Sequence, residues 1–114
     1  MALVGVAAPQ QPMTPLGVYS CHGEQNGDPY DLPLVVSAVG TTYRFTWGEP
    51  PKLMGLGLLS EGVLAVAIVA PSTGAVGVAW YRLGEGRLEG LWSRGDGSVD
   101  AERCVAVRGR EAAR

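Results

Sequence analysis

Residues 75–93 decide the fold, and they read AVGVAWYRLGEGRLEGLWS. Two segments of alternating character, Ala75–Leu83 and Arg87–Ser93, flank the short connection Gly84-Glu-Gly86. Alternation with a period of two residues is typical of a β-strand that is buried on one side, because successive side chains point to opposite faces. The connection supplies glycines for the positive φ angles that a tight hairpin turn requires. The stretch therefore predicts an antiparallel β-hairpin.

The same organisation extends along the chain in both directions, as short alternating segments bounded by turn-forming residues. The predicted strands are Leu16–Gly23, Tyr30–Ala38, Thr42–Gly48, Leu53–Leu58, Val63–Val69, Ala75–Leu83, Arg87–Ser93 and Ala101–Val107. The connections between them have the length of hairpin loops. The sequence thus predicts an all-β fold, an eight-stranded antiparallel up-and-down meander. Pairing of the first strand with the last would remove both exposed sheet edges, which predicts a small closed β-barrel.

The two cysteines, Cys21 and Cys104, bear on this prediction because they lie in the first and the last predicted strand, 83 positions apart. They are either two unrelated buried thiols or a disulfide that joins the first strand to the last. In a closed barrel with an even number of strands these two strands are antiparallel, so a residue late in the first faces one early in the last. Cys21 and Cys104 have those positions, which favours the disulfide. Such a bond indicates an oxidising compartment, so we expect a periplasmic or secreted protein.

Composition limits the class of protein and its partners. The chain has 114 residues, 46% of them apolar and 18% charged, which is one domain with enough apolar surface to fold. Nine basic and eleven acidic residues are spread along it, so no basic stripe exists for nucleic acid. The apolar runs are far shorter than the roughly 20 residues of a membrane-spanning helix, and we expect no transmembrane span.

The two ends of the chain differ from its centre. We divide the sequence into an extended Pro-rich leader (1–15), a β-barrel domain (16–107) and a charged tail (108–114). Residues 1–8, MALVGVAA, end in small residues but lack a basic segment. They are either the remnant of an export signal or an apolar tail.

The sequence offers little for catalysis. His22 is the single histidine, and it alternates to the face of its strand opposite Cys21, so the two do not form a nucleophile pair. The chain contains no metal-ligand spacing, phosphate-binding loop or nucleophile motif. We therefore expect no catalytic residues, no metal, no cofactor and no enzymatic activity.

Two features could serve binding. The aromatic residues Tyr43, Trp47, Trp80 and Trp92 either fill the barrel interior or line a ligand cup at one end of it. Arg94, Gly95 and Asp96 lie in a predicted hairpin loop, and this triplet at an exposed tip is the form recognised by integrin-type receptors. Turn propensity alone also explains the triplet.

A series of short motifs follows the strands in a fixed order. They are Gly17-Val-Tyr19, Gly27-Asp-Pro-Tyr30, Thr42-Tyr-Arg-Phe-Thr-Trp47, Gly55-Leu-Gly57 with Leu64-Ala-Val66, then Tyr81, Gly86-Arg-Leu-Glu-Gly-Leu-Trp92 and Glu102. Over residues 16–107 this order resembles small secreted bacterial β-domain proteins, largely uncharacterised and sometimes labelled fibronectin-binding. It is also superficially similar to the calycin barrels of the avidin and lipocalin group, although no biotin-binding polar set matches here. The first resemblance implies adhesion and implies no catalytic residues.

Two functions follow as expectations. The first is a non-catalytic protein-interaction module or an accessory or structural subunit of a larger assembly, whether at a membrane or not, which docks on other protein subunits through its loops and tails. The alternative is a calycin-like barrel that binds a small apolar ligand. An interior filled by side chains would exclude the alternative.

Overall fold

The computed structural model describes residues 13–107, and within them the chain forms eight β-strands. In chain order they are β1 (Gly17–Gln25), β2 (Asp28–Val39), β3 (Thr42–Trp47), β4 (Leu53–Ser60), β5 (Val63–Val69), β6 (Val76–Gly84), β7 (Arg87–Ser93) and β8 (Asp100–Ala106). Each strand pairs antiparallel with its neighbours in the chain, and β1 also pairs with β8. The predicted closed up-and-down barrel is confirmed. The predicted tail (108–114) and residues 1–12 of the predicted leader lie outside the described residues.

Tight turns extend several strands beyond their predicted limits. Strand β1 pairs with β2 as far as Gln25 and Asp28, so the loop between them is Asn26-Gly27 alone. Its two residues have φ angles of 53° and 88°, the left-handed conformation that a two-residue hairpin turn needs. The twist of such a turn matches that of the strands, so pairing continues to the turn itself. The sequence prediction therefore ended the first strand two residues too early and began the second two residues too late.

Alternate side chains of every strand point into the barrel and form its core. The buried apolar residues are Tyr19, Cys21, Leu34, Val36, Phe45, Trp47, Leu64, Val66, Ala79, Tyr81, Leu83, Leu88 and Cys104. In β4 the inward positions include Gly55 and Gly57, where an added Cβ would press against Trp47 or Phe45. The missing side chains of β4 therefore make room for the aromatic rings of β3.

The closing pair of strands carries the disulfide. Cys21 of β1 and Cys104 of β8 are register partners with their Cα atoms 3.9 Å apart, and their sulfur atoms are bonded. Both residues are fully buried. The predicted disulfide is confirmed, and it covalently joins the first strand to the last.

The two ends of the barrel differ. At the end where β1 begins, Pro15 is fully buried and its carbonyl oxygen accepts a hydrogen bond of 2.9 Å from the Tyr19 hydroxyl. Pro15 therefore packs into this end, which we call the closed end. The other end, which we call the open end, is surrounded by the β1–β2, β3–β4, β5–β6 and β7–β8 connections. Among the described residues, no helix has the length and apolar character needed to cross a membrane.

Candidate ligand-binding site at the open end

A row of five residues crosses five adjacent strands inside the barrel. Register partners follow one another in the order Tyr30 (β2), Gly23 (β1), Glu102 (β8), Gly90 (β7) and Tyr81 (β6). Glu102 therefore has a glycine on each side and a tyrosine beyond each glycine. The two tyrosines reach across the glycines to the same carboxylate.

Glu102 is 6% exposed, and its carboxylate accepts hydrogen bonds from both tyrosines. The Tyr30 hydroxyl donates to Oε2 at 2.7 Å, and the Tyr81 hydroxyl donates to Oε1. Burial raises the pKa of Tyr81 well above its usual value, and the negative charge and hydrogen bond of Glu102 raise it further. The pKa of Tyr30 is also raised, first by burial and then by the charge and hydrogen bond of Glu102, while the Trp92 indole opposes this rise in part. Both hydroxyl groups therefore remain protonated donors at neutral pH. We call these three side chains the Glu102 cluster.

The two glycines are required by this geometry. A Cβ added at Gly23 would overlap the Tyr30 hydroxyl, and one added at Gly90 would overlap the carbonyl oxygen of Trp80. Glycine therefore permits both the reach of Tyr30 over β1 and the close approach of β6 to β7.

A cavity of about 280 Å³ lies between the Glu102 cluster and the open end. Its walls are mainly apolar, and its lining residues are Gln25, Tyr30, Leu32, Trp47, Lys52, Leu53, Ile68, Tyr81, Trp92 and Glu102. A second hollow of about 160 Å³ shares Gln25, Leu53, Ile68 and Trp92 with it and extends towards Arg94. The side chains thus leave the open end of the barrel unfilled.

Two tryptophans of the cavity wall hold unpaired donors. The indole Nε1 atoms of Trp47 and Trp92 are buried and make no hydrogen bond of good geometry among residues 13–107, although the Trp92 indole lies near enough to the Tyr30 hydroxyl to lower its pKa in part. The Trp92 ring meets the Tyr30 ring edge to face, with 6.2 Å between centroids. Trp47 stacks on Phe45 at 5.5 Å. Buried polar groups are usually paired, so these two donors mark a wall that differs from ordinary core.

The four aromatic residues proposed from sequence do not all line the cavity. Trp47 and Trp92 line the cavity, whereas Tyr43 packs against the core near the closed end. Trp80 lies on the outer face of β6 and is 40% exposed, so the expectation that it lines the interior is wrong. Trp80 does share a face with Val76 and Val78, but the alternate set of Ala79, Tyr81 and Leu83 points inward.

The predicted loop of Arg94, Gly95 and Asp96 lies in the connection from β7 to β8 at the open end. Its two charged groups bind each other, because Arg94 Nη2 donates to Asp96 Oδ2 at 2.9 Å. The other carboxylate oxygen of Asp96 accepts from the backbone N–H of Ser98 at 2.9 Å and from the Ser98 hydroxyl. Hydrogen bonds from Ser98, followed by those from Arg94, lower the pKa of Asp96 to about 2. The triplet is therefore a turn with internally paired charges.

The remaining polar candidates lie apart from the cavity or are already bonded. His22 is exposed on the outside of β1 and contacts Asp31 through Nδ1. Glu102 and the two cysteines form a close group, but the cysteine sulfurs are in a disulfide and do not offer the thiolates that bind a metal. Within the described chain the cavity lining includes no histidine, serine or free cysteine. This set of residues can hold and orient a molecule.

Sequence reasoning missed the Glu102 cluster as a polar site. Glu102 is two residues before Cys104, so the predicted inward direction of Cys104 places Glu102 on the same inner face. That signal, together with glycines inside two strands, was sufficient to predict a buried carboxylate. The identity of its donors depends on register across five strands, which local pattern does not supply.

No protein-family model matches the chain, and no curated protein is significantly similar to it. The fold and the site define the class of protein as a small disulfide-closed β-barrel with an unfilled cavity at one end.

Proposed function

We propose that the protein is a non-catalytic binding barrel that holds a small, mainly apolar ligand in the open-end cavity. The observation that carries this proposal is the unfilled interior between the Glu102 cluster and the open end, whose walls include Leu32, Leu53 and Ile68. Binding sites for small molecules are typically apolar concavities with a few convergent polar groups, and such sites occur at the mouths of β-barrels.

The size of the cavity favours a short ligand. Pockets for drug-sized molecules usually measure about 300–1,000 Å³, and the cavity of about 280 Å³ lies just below that range. A single alkyl chain or one or two rings would fill it.

The charges around the cavity favour a neutral or cationic head group. The Glu102 carboxylate is buried in the cavity lining, where its interactions are weakly screened, whereas Lys52 is exposed to solvent at the rim. An anionic head group would be repelled by Glu102 after losing its hydration, and a donor or cation would be attracted. The tryptophan and tyrosine faces add to the attraction for a cation.

The compartment is part of the proposal. A buried disulfide that joins the first and last strands is characteristic of proteins from oxidising environments, which supports a periplasmic or secreted location. The role as an accessory subunit that docks through its loops and tails stays a prediction, because no partner chain is present and most of both tails lies outside the described residues.

The proposal is tested by isothermal titration calorimetry with three probes of one chain length: octylamine, octanol and octanoate. We expect octylamine and octanol to bind at one site per chain and octanoate to bind at least about 10-fold more weakly, a difference of about 1.4 kcal/mol. The absence of binding by all three probes would contradict the proposal.

A matched pair of variants separates the cavity from the outer surface. Ile68→Trp adds volume at a residue that lines both hollows, and we expect it to abolish binding. Leu58→Ser removes an exposed apolar side chain from the outside of β4, and we expect it to leave binding unchanged. The reverse outcome would place the probes on the outer surface.

A further inference from the structure

The outer surface of strands β4 to β7 is apolar over most of its width. Its large side chains are exposed by 36–68% of their surface, and they are Met54, Leu56, Leu58, Val69, Val76, Val78, Trp80 and Leu91. The exposed Ala65 and Ala67 lie between them on β5. We call these ten residues the apolar face. None of the ten carries a charge.

The extent of the apolar face suits a stable interface. Its eight large side chains together expose on the order of 700 Å². Monomeric proteins rarely expose a continuous apolar patch larger than a few hundred Å². A standard protein–protein interface takes roughly 800 Å² from each partner, so this patch matches one half of an interface.

The shape of the apolar face allows two copies of it to pack against each other. Register places Ala67 between Leu56 and Val78, and it places Ala65 between Leu58 and Trp80. The alanines of β5 therefore form a shallow groove between two ridges of larger side chains on β4 and β6. A two-fold axis would set a ridge of one copy into the groove of the other, as in face-to-face packing of twisted sheets.

Charged residues border the apolar face on two sides without entering it. Arg44 of β3 is the register partner of Leu56. Arg82 of β6 and Glu89 of β7 are register partners of each other, and they lie towards the closed end. An uncharged centre with a charged rim is the usual anatomy of an interface. The centre offers no charge to attract a partner of opposite sign, which favours an equally apolar partner surface.

We infer that the apolar face binds a second copy of this chain and forms a two-fold symmetric dimer. Leu56, Val78 and Trp80 lie at the contact, and the open-end cavity of each copy remains accessible, because the face covers the side of the barrel. The inference goes beyond ligand binding and does not depend on it.

The test is sedimentation equilibrium with the full chain and two valine variants. We expect the unaltered protein at about 50 µM to have twice the chain mass of 11.9 kDa. Val78→Glu places a charge in the centre of the contact, where it would be desolvated and unpaired, and we expect dimerisation to weaken by about 100-fold or more. Val35→Glu is the matched control, since Val35 is 45% exposed on β2, outside the apolar face, and we expect it to remain dimeric.

Three outcomes would overturn the inference. They are a monomeric parent protein, equal weakening by both substitutions, and binding of the monomer to phosphatidylcholine vesicles through the apolar face in place of self-association. Circular dichroism of both variants establishes that they are folded. Octylamine titration of Val78→Glu distinguishes the two proposals, because the cavity is unchanged in a monomer that retains its fold.

Discussion

At the residue scale the Glu102 cluster is the least expected feature of the interior. A carboxylate is costly to bury without partners, and here two tyrosine hydroxyls from strands on opposite sides supply them. The sequence could predict that Glu102 faces inward, from its spacing to Cys104. It could not predict the donors, because Tyr30 and Tyr81 lie 72 and 21 residues away from Glu102 along the chain.

Tyr81→Phe tests the energetic role of the cluster. The substitution leaves Oε1 of Glu102 buried without a donor, and we expect the free energy of unfolding to fall by about 1–3 kcal/mol. Urea denaturation measures this change. Tyr43→Phe is the control, because Tyr43 is only partly buried and makes no side-chain hydrogen bond within the described residues; its effect should stay below about 0.5 kcal/mol. Equal losses in both variants would contradict the role assigned to the hydroxyl group.

Asp96 provides a pH test of the β7–β8 turn. Its pKa of about 2 in the folded protein is below the ordinary aspartate value of about 3.9. The carboxylate therefore contributes stability above about pH 4, and this contribution is lost as the pH falls through about 2. Carboxyl carbon NMR should show the low midpoint, and Ser98→Ala should raise it. Ser93→Ala removes the acceptor for the Gly95 N–H in the same turn and should leave the midpoint unchanged.

At the scale of the elements, alternation and turn chemistry were sufficient to place all eight strands in order. They did not establish which face of β6 points inward, because both of its faces are mainly apolar, and only Arg82 marks the face of Val76, Val78 and Trp80 as the outer one. Trp80 was expected inside, yet Ala79, Tyr81 and Leu83 fill that position. Gly90 on β7 accommodates this orientation, because it is the register partner of Tyr81 and has no side chain to overlap the backbone of β6.

Gly90→Ala tests this approach of the two strands. The new methyl group would overlap the carbonyl oxygen of Trp80. This oxygen belongs to the backbone of β6, so it cannot move away by a change of rotamer as a side chain can. We expect a loss of at least about 3 kcal/mol in the free energy of unfolding, the upper end for overpacking. Gly84→Ala is the matched control, because its new methyl group would meet only the flexible Arg87 side chain. A stable Gly90→Ala protein would show that β6 and β7 can separate without cost.

At the scale of the whole molecule, the disulfide fixes the closure of the barrel. It joins residues 83 positions apart, and the chain-entropy model gives about 4–5 kcal/mol of stabilisation for a loop of that length. The sequence could predict this pairing because closure of an even-stranded meander determines which strands meet. It could not predict the unfilled cavity, since the volume left inside depends on how all the inward side chains pack.

The double substitution Cys21→Ala with Cys104→Ala should lower the free energy of unfolding by about 4–5 kcal/mol. Guanidinium denaturation measures the loss. Dithiothreitol should destabilise the unaltered protein to a similar degree and leave the double variant unchanged. A full effect of the reductant on the variant would show that it acts elsewhere.

The central claim, that the open-end cavity binds a small apolar ligand, is tested most directly by NMR of the three tryptophan indole N–H groups. Trp47 and Trp92 line the cavity, and Trp80 lies outside it on β6. We predict that octylamine shifts the signals of Trp47 and Trp92 in a saturable manner and leaves that of Trp80 in place. A shift confined to Trp80, or no shift at all, would contradict the account.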